Sequence, residues 1–209
     1  MRSRTKTDKT EKRPRGRPRT YEPEAVLRQA MDLFWKAGYS ATSLDDIAAA
    51  TGVNRPSLRA AFGDKHAIYL RALDDYWERK FATMREALGG DQALEAALMR
   101  VYDAALSIYF SGGGRARGCF VVGTAVTEAV DDPEIRGSIT EGFSRLDADF
   151  EARLRSALEA GELKKGADPE ALAMLASATM HSIAIRARAG ASRNDLRKLA
   201  LKAVHVICG

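Results

Sequence analysis

Apolar positions in this chain recur every three or four residues and nowhere alternate over a useful length, a pattern that predicts helices throughout. The first stripe runs from Glu22 to Ala37 through Val26, Leu27, Ala30, Leu33, Phe34 and Ala37, and Gly38 ends it. A short stripe of Leu44, Ile47, Ala48 and Thr51 stops at Gly52, and Leu58 with Phe62 marks a third helix. His66 to Leu88 is longer, with Leu70, Leu73, Trp77, Phe81, Met84 and Leu88 on one side and Gly89-Gly90 after it. Beyond lie Gln92–Phe110, a short helix over Cys119–Val130, and a stripe of Ile135, Ile139, Phe143, Leu146, Phe150, Leu154 and Leu158. An alanine-rich helix over Pro169–Ala189 and a last one over Asn194–Ile207 complete the set. No internal repeat is visible, and the expected fold class is all-α.

Local signals are densest between Ser43 and Lys65. Ser43 can cap a helix, and Asp46, three residues on, can reach back to it as a capping box. Gly52 suits a left-handed helix end, Asn54 is a good cap for the next helix, and Pro56 fits a first turn, where its missing N–H costs nothing. With Leu58 and Phe62 facing in, Arg55, Ser57, Arg59 and Ala60 face out. Two short helices joined by a glycine turn, the second with a small and basic outer face, form the helix-turn-helix pattern of DNA readers.

Ala41-Thr42-Ser43-Leu44-Asp45-Asp46-Ile47-Ala48, Gly52-Val53-Asn54-Arg55-Pro56-Ser57-Leu58 and Phe62-Gly63-Asp64-Lys65 resemble the DNA-binding segment of TetR/AcrR-type regulators. The likeness continues upstream through Ala30 to Tyr39 and covers about a quarter of the chain. It implies a three-helix DNA-binding domain over 21–67, followed by an effector-binding and dimerisation domain over 68–209. It also implies a dimer that binds a palindromic operator as a repressor and leaves it when a small effector binds. Ser43, Arg55, Pro56, Ser57, Arg59 and Lys65 are the DNA contacts it points to, Lys65 on a backbone phosphate. Arg59 stands where the family usually has a tyrosine that touches phosphate.

The net charge of +5 is unevenly spread. Residues 1–20 carry nine Lys and Arg against Asp8 and Glu11, a surplus of seven, which leaves the remainder at −2. This arm has no apolar periodicity and is expected to be disordered when free. Its Arg15-Gly16-Arg17-Pro18 core resembles an AT-hook, whose arginines sit in a narrow A·T minor groove; the alternative is a phosphate arm indifferent to sequence. No apolar run approaches membrane-spanning length, and two cysteines are too few for a disulfide framework, which together point to a cytoplasmic protein.

Catalytic signals are weak. His66, His181 and His205 stand far apart with no metal-ligand spacing or nucleophile motif, and the glycine loop 111–118 lacks a P-loop's Lys-Ser/Thr ending, so neither an enzyme, a metal nor a cofactor is expected. Trp77, Phe81, Tyr102, Tyr109, Phe120, Phe143, Met174, Met180 and His181 lie on helices that should converge. With the resemblance, they suggest a cavity for a small apolar effector. Cys119 opens a helix just after Arg115 and Arg117, a setting that either activates a thiol toward electrophiles or simply packs a small apolar residue. The dimer contact is expected on the last two helices, at Leu172, Ala176, Leu196 and Leu199. Two other readings remain: an architectural DNA-binding protein dominated by the basic arm, and a thiol-based sensor of this fold acting through Cys119.

Overall fold

The structure, a computed structural model, describes residues 21–209; the arm with Arg15 and Arg17 lies outside them. α1 (Pro23–Ala37), α2 (Leu44–Thr51) and α3 (Arg55–Phe62) are followed by α4 (Lys65–Leu88) and α5 (Leu94–Tyr109). α6 (Phe120–Thr124) and a single 3-10 turn (Glu128–Val130) lead to α7 (Pro133–Glu159), α8 (Pro169–Arg188) and α9 (Arg193–Cys208). There is no strand among the described residues.

Most helix starts follow from residues next to them. Asp132 and Asp168 each accept two backbone N–H groups at the heads of α7 and α8, with Pro133 and Pro169 in the first turn. Ser192 caps α9 through the Asp195 N–H. α5 is different, because Ala93 has no side chain to cap with. The carboxylate of Glu162, in the α7–α8 turn, accepts the Leu94 N–H instead, and Arg153 of α7 holds Glu162 at 3.2 Å. A cap borrowed from 68 residues away explains why α5 begins at Leu94 and not at Gln92.

The helix expected over Cys119–Val130 is broken. Thr124 turns its hydroxyl back to the Phe120 carbonyl at 2.8 Å and shares a hydrogen bond of 2.7 Å with the Tyr69 hydroxyl on α4. Back-bonding of this kind bends helices, and here the buried tyrosine fixes the bend. The chain resumes only as the 3-10 turn.

α4 is the shared element. It packs on α1, α5 and α7, meeting α7 from its first turn at His66 onward. α7, α8, α9 and α5 close the second domain around it, and the apolar core continues without a break from Val26 to Ile207. Phe120 lies between Trp35, Tyr69 and Tyr76, with ring centroids at 5.5, 5.8 and 5.5 Å, and so joins α1 to α4. Where α4 meets α7, the Trp77 indole lies against Gly142. A Cβ at that position would stand 2.3 Å from the ring, so only glycine permits the approach.

Candidate functional site

The head of α2 carries the expected capping box. Ser43 Oγ accepts the Asp46 N–H at 3.1 Å, and the Ser43 N–H donates to the Asp46 carboxylate at 2.8 Å. The Ser43 hydroxyl and N–H together hold the Asp46 carboxyl below the usual range. Gly52 ends α2 in the left-handed conformation, φ 68°. Asn54 Oδ1 then accepts the Ser57 N–H at 3.0 Å, and α3 starts with Pro56 in its first turn. Leu58 and Phe62 are buried, which leaves Arg55, Pro56, Arg59 and Ala60 exposed and Ser57 half-buried.

Two basic side chains of this face have partners that the sequence did not indicate. Arg55 reaches across the turn to Asp45 of α2 at 3.1 Å, a contact that steadies the guanidinium while leaving other N–H groups free. Lys65 donates to the Tyr39 carbonyl at 3.1 Å and lies 4.1 Å from the centre of the Tyr39 ring. A lysine in the first turn of a helix is therefore explained by the turn beneath it, and only its remaining donors are available to a phosphate. Arg59 makes no side-chain bond among the described residues.

The two domains are tied at several points. His66 Nε2 and Asp132 Oδ2 stand 2.7 Å apart, joining the first turn of α4 to the head of α7. Asp132 is held below the ordinary carboxyl range, chiefly by the Ile135 N–H and then by His66. Ser40 donates to Glu128 at 2.9 Å, and Arg117 lies over the Trp35 ring at 4.2 Å while pairing with Asp32 of α1 at 2.6 Å. Arg188 of α8 donates to the carbonyl of Arg117 at 3.1 Å.

A cavity of about 610 Å³ lies between α1, α4 and α5, inside the usual size range of small-molecule sites. Met31, Trp35, Tyr76, Ala104 and Ile108 form its apolar walls. None of the nine residues expected to line a pocket borders it. Trp77 and Phe81 stack on each other at 5.2 Å and edge a separate groove of about 360 Å³ rimmed by Asp74, Glu78, Glu134 and Glu141. Tyr102 donates to the Ala176 carbonyl at 3.0 Å, Tyr109 and Met180 are fully buried, and Phe120 fills the interdomain cluster. Phe143 packs on His181 at 4.4 Å. Met174 is 58% exposed on the outer face of α8, away from the cavity. What sequence reasoning missed is Lys80. It is a lone charge inside the Trp77–Phe81–Met84 stripe, and that break in the pattern was the available signal.

Cys119 stands at the N-cap position of α6 without capping it through its side chain; it is 1% exposed and accepts a hydrogen bond from the Tyr76 hydroxyl at 3.3 Å. Arg117 is turned away to Trp35 and Asp32, so the cationic setting expected for this thiol is not formed by that residue. A smaller recess of about 370 Å³ borders Cys119, Gly123 and Arg188. The expected dimer residues need correction too. Ala176 and Leu196 are buried in the chain's own core, while Leu172 and Leu199 are half-buried at its edge. α8 is apolar around most of its circumference, so spacing alone did not tell its inner face from its outer one. The outer face carries Ala171, Met174, Leu175, Ala178 and Ile185, and Val206 is exposed on α9.

A capped helix-turn-helix with a basic outer face, joined through one long helix to a second helical domain with a cavity at the seam, defines a DNA-binding regulator of the two-domain helical class. Residues 26–72 match the tetR family of bacterial regulatory proteins, and residues 94–203 match the tetracyclin repressor-like C-terminal domain. The chain belongs to the TetR family. It is 33% identical over 198 residues to the HTH-type transcriptional repressor ComR of Escherichia coli K12, covering 93% of each chain. It is 27% identical over 183 residues to the HTH-type regulator YezE of Bacillus subtilis 168, covering 87% of this chain and 94% of that one. Among solved structures, a cysteine mutant of the TetR-family regulator CifR bound to 26-base-pair operator DNA superposes with a TM-score of 0.82 at 26% identity, covering 91% of this chain and 98% of that one. No helix of the described residues is long and apolar enough to cross a membrane.

Proposed function

We propose that this protein is a cytoplasmic, dimeric, ligand-responsive repressor that binds a palindromic operator and leaves it when a small molecule fills the cavity between α1, α4 and α5. The observation that carries the reading is the shared wall of that cavity. Arg28, Met31, Asp32 and Trp35 belong to α1 of the DNA-binding domain, and the remaining wall belongs to α4, α5 and the loop after α5. A ligand seated there presses directly on the helix that supports α2 and α3. In a dimer, the two α3 helices must enter successive major grooves about 34–36 Å apart, so a small tilt of α1 and α4 in each protomer breaks the match. The names of ComR as a repressor and of CifR in complex with operator DNA support the same reading.

Dimerisation is assigned to the outer face of α8 and the exposed side of α9, where Met174, Leu175, Ala178, Ile185 and Val206 offer apolar area to a second copy. The test of the whole reading is selection of bound sequences from a random DNA pool by the purified protein. A palindrome with half-sites one helical turn apart is expected. Enrichment of A·T-rich DNA without two-fold symmetry would instead favour an architectural protein dominated by its basic arm.

A further inference from the structure

Taking the cavity between α1, α4 and α5 as the effector site, as proposed above, we propose that its ligand is a small amphipathic anion, a carboxylate on an aromatic or aliphatic body, and that Lys80 pairs with its charge. Four cations line this cavity: Arg28, Arg79, Lys80 and Arg117. The three arginines are already paired, with Glu24 at 3.6 Å, Asp75 at 2.6 Å and Asp32 at 2.6 Å. Lys80 is not. Its side chain is 2% exposed, and its ammonium has neither a hydrogen-bond acceptor nor a carboxylate within reach among the described residues. The centre of the Trp77 ring lies 5.1 Å from it.

Removing an ammonium from water without a counter-charge is strongly unfavourable, so a lysine kept in such a place calls for a partner that the described residues do not supply. The groups around it are no substitute. Trp77 Nε1 and His181 Nε2 are buried and also unpartnered, and an indole N–H can only donate. Burial, then the Lys80 charge, push His181 down to about 4, so at neutral pH it brings no charge of either sign. Within the cavity wall, Lys80 Nζ and Arg117 Nε are thus donors short of an acceptor. A carboxylate supplies that acceptor, and the apolar walls at Met31, Trp35, Tyr76 and Ile108 accept the ligand's hydrophobic body. The lysine stem already borders the cavity, and four rotatable bonds let the ammonium swing to the ligand.

The test is calorimetric titration of the full-length protein with matched pairs, benzoate against benzamide and octanoate against octanamide, alongside operator release followed by fluorescence anisotropy. At least one carboxylate should bind about 10- to 100-fold more tightly than its amide, the range expected of a charge-assisted bond formed out of water. Lys80→Met should erase that gap while leaving amide affinity unchanged, and Lys80→Arg should keep most of it. Thermal unfolding of Lys80→Met should be no lower than that of the unmutated protein, since the stem volume is preserved and an unpaired charge is removed. Equal binding of acid and amide, a gap that survives in Lys80→Met, or no carboxylate binding at millimolar concentration would each overturn the assignment. An amide that binds as tightly as its acid and releases operator overturns the anion alone and leaves the effector reading standing. A carboxylate that binds through Lys80 yet leaves operator bound supports the anion and overturns the effector reading.

Discussion

Gly142→Ala gives a sharp check on how α4 and α7 fit together. In an open helix this change stabilises by about 0.5–1 kcal/mol, because alanine restricts the unfolded chain more than glycine. At position 142 the new methyl would stand 2.3 Å from two carbons of the Trp77 indole, a separation that cannot persist. Trp77 cannot simply rotate away, since it is stacked on Phe81 at 5.2 Å and meets Phe143 edge-on at 5.9 Å. Overpacking of this kind costs about 1–3 kcal/mol, so the gain should be cancelled or turned into a loss of up to about 2.5 kcal/mol. Gly137, on the exposed side of the same helix, has nothing within 4 Å of a built Cβ. Gly137→Ala should therefore gain about 0.5–1 kcal/mol. Urea unfolding of both variants at equal protomer concentration, followed by circular dichroism and tryptophan fluorescence, separates the two cases. If both alanines stabilise equally, the packing of Trp77 on α7 described here is wrong.

Four further outcomes are expected. Arg55→Ala should cost about 1–3 kcal/mol on the preferred operator and relax one base per half-site, whereas Lys65→Ala should weaken all DNA alike and flatten the salt dependence by about one unit; binding titrations at several salt concentrations would expose any blurring of those roles. Ala178→Glu should give monomers in sedimentation and weak operator binding, while Ala176→Glu should lower the melting temperature sharply because that residue is fully buried. His181 binds its proton less readily folded than unfolded, so stability should fall as pH drops from about 6.5 to about 4, by up to roughly 3 kcal/mol, and His181→Gln should remove that slope. Asp132 has a lowered folded-state value, so its contribution is present above the unfolded carboxyl range and lost as pH falls below it; Asp132→Asn should flatten this acid limb in pH-dependent melts.

The DNA-reading half was legible because its determinants are neighbours in sequence. Ser43 and Asp46, Gly52, Asn54 and Pro56 each specify the backbone within three residues of themselves, and each does so in the structure. The cavity was not legible, because it depends on which faces of α1, α4 and α5 are opposed. Aromatic content pointed to Trp77, Phe81 and Phe143, which instead pack between α4 and α7. The cap on α5 comes from Glu162, and the environment of Cys119 depends on where the loop carries Arg117; no periodicity encodes either. α8 misled for a different reason. An alanine helix buries one side and exposes another with nearly the same residues, so Ala176 and Ala178 look alike in sequence and face opposite ways.

Taking the cavity as the effector site, as proposed, α1 forms one side of it, so selectivity for DNA and selectivity for the small molecule would not be inherited as separate modules. A hybrid built by joining the first three helices of a relative to this chain's remaining helices would import foreign residues at 28, 31, 32 and 35, and so one foreign wall of the cavity. Such chimeras would be retuned in what they sense as well as in what they read. Reprogramming operator preference alone requires changes confined to the outer face of α3, and reprogramming the signal requires substitutions on both sides of the seam.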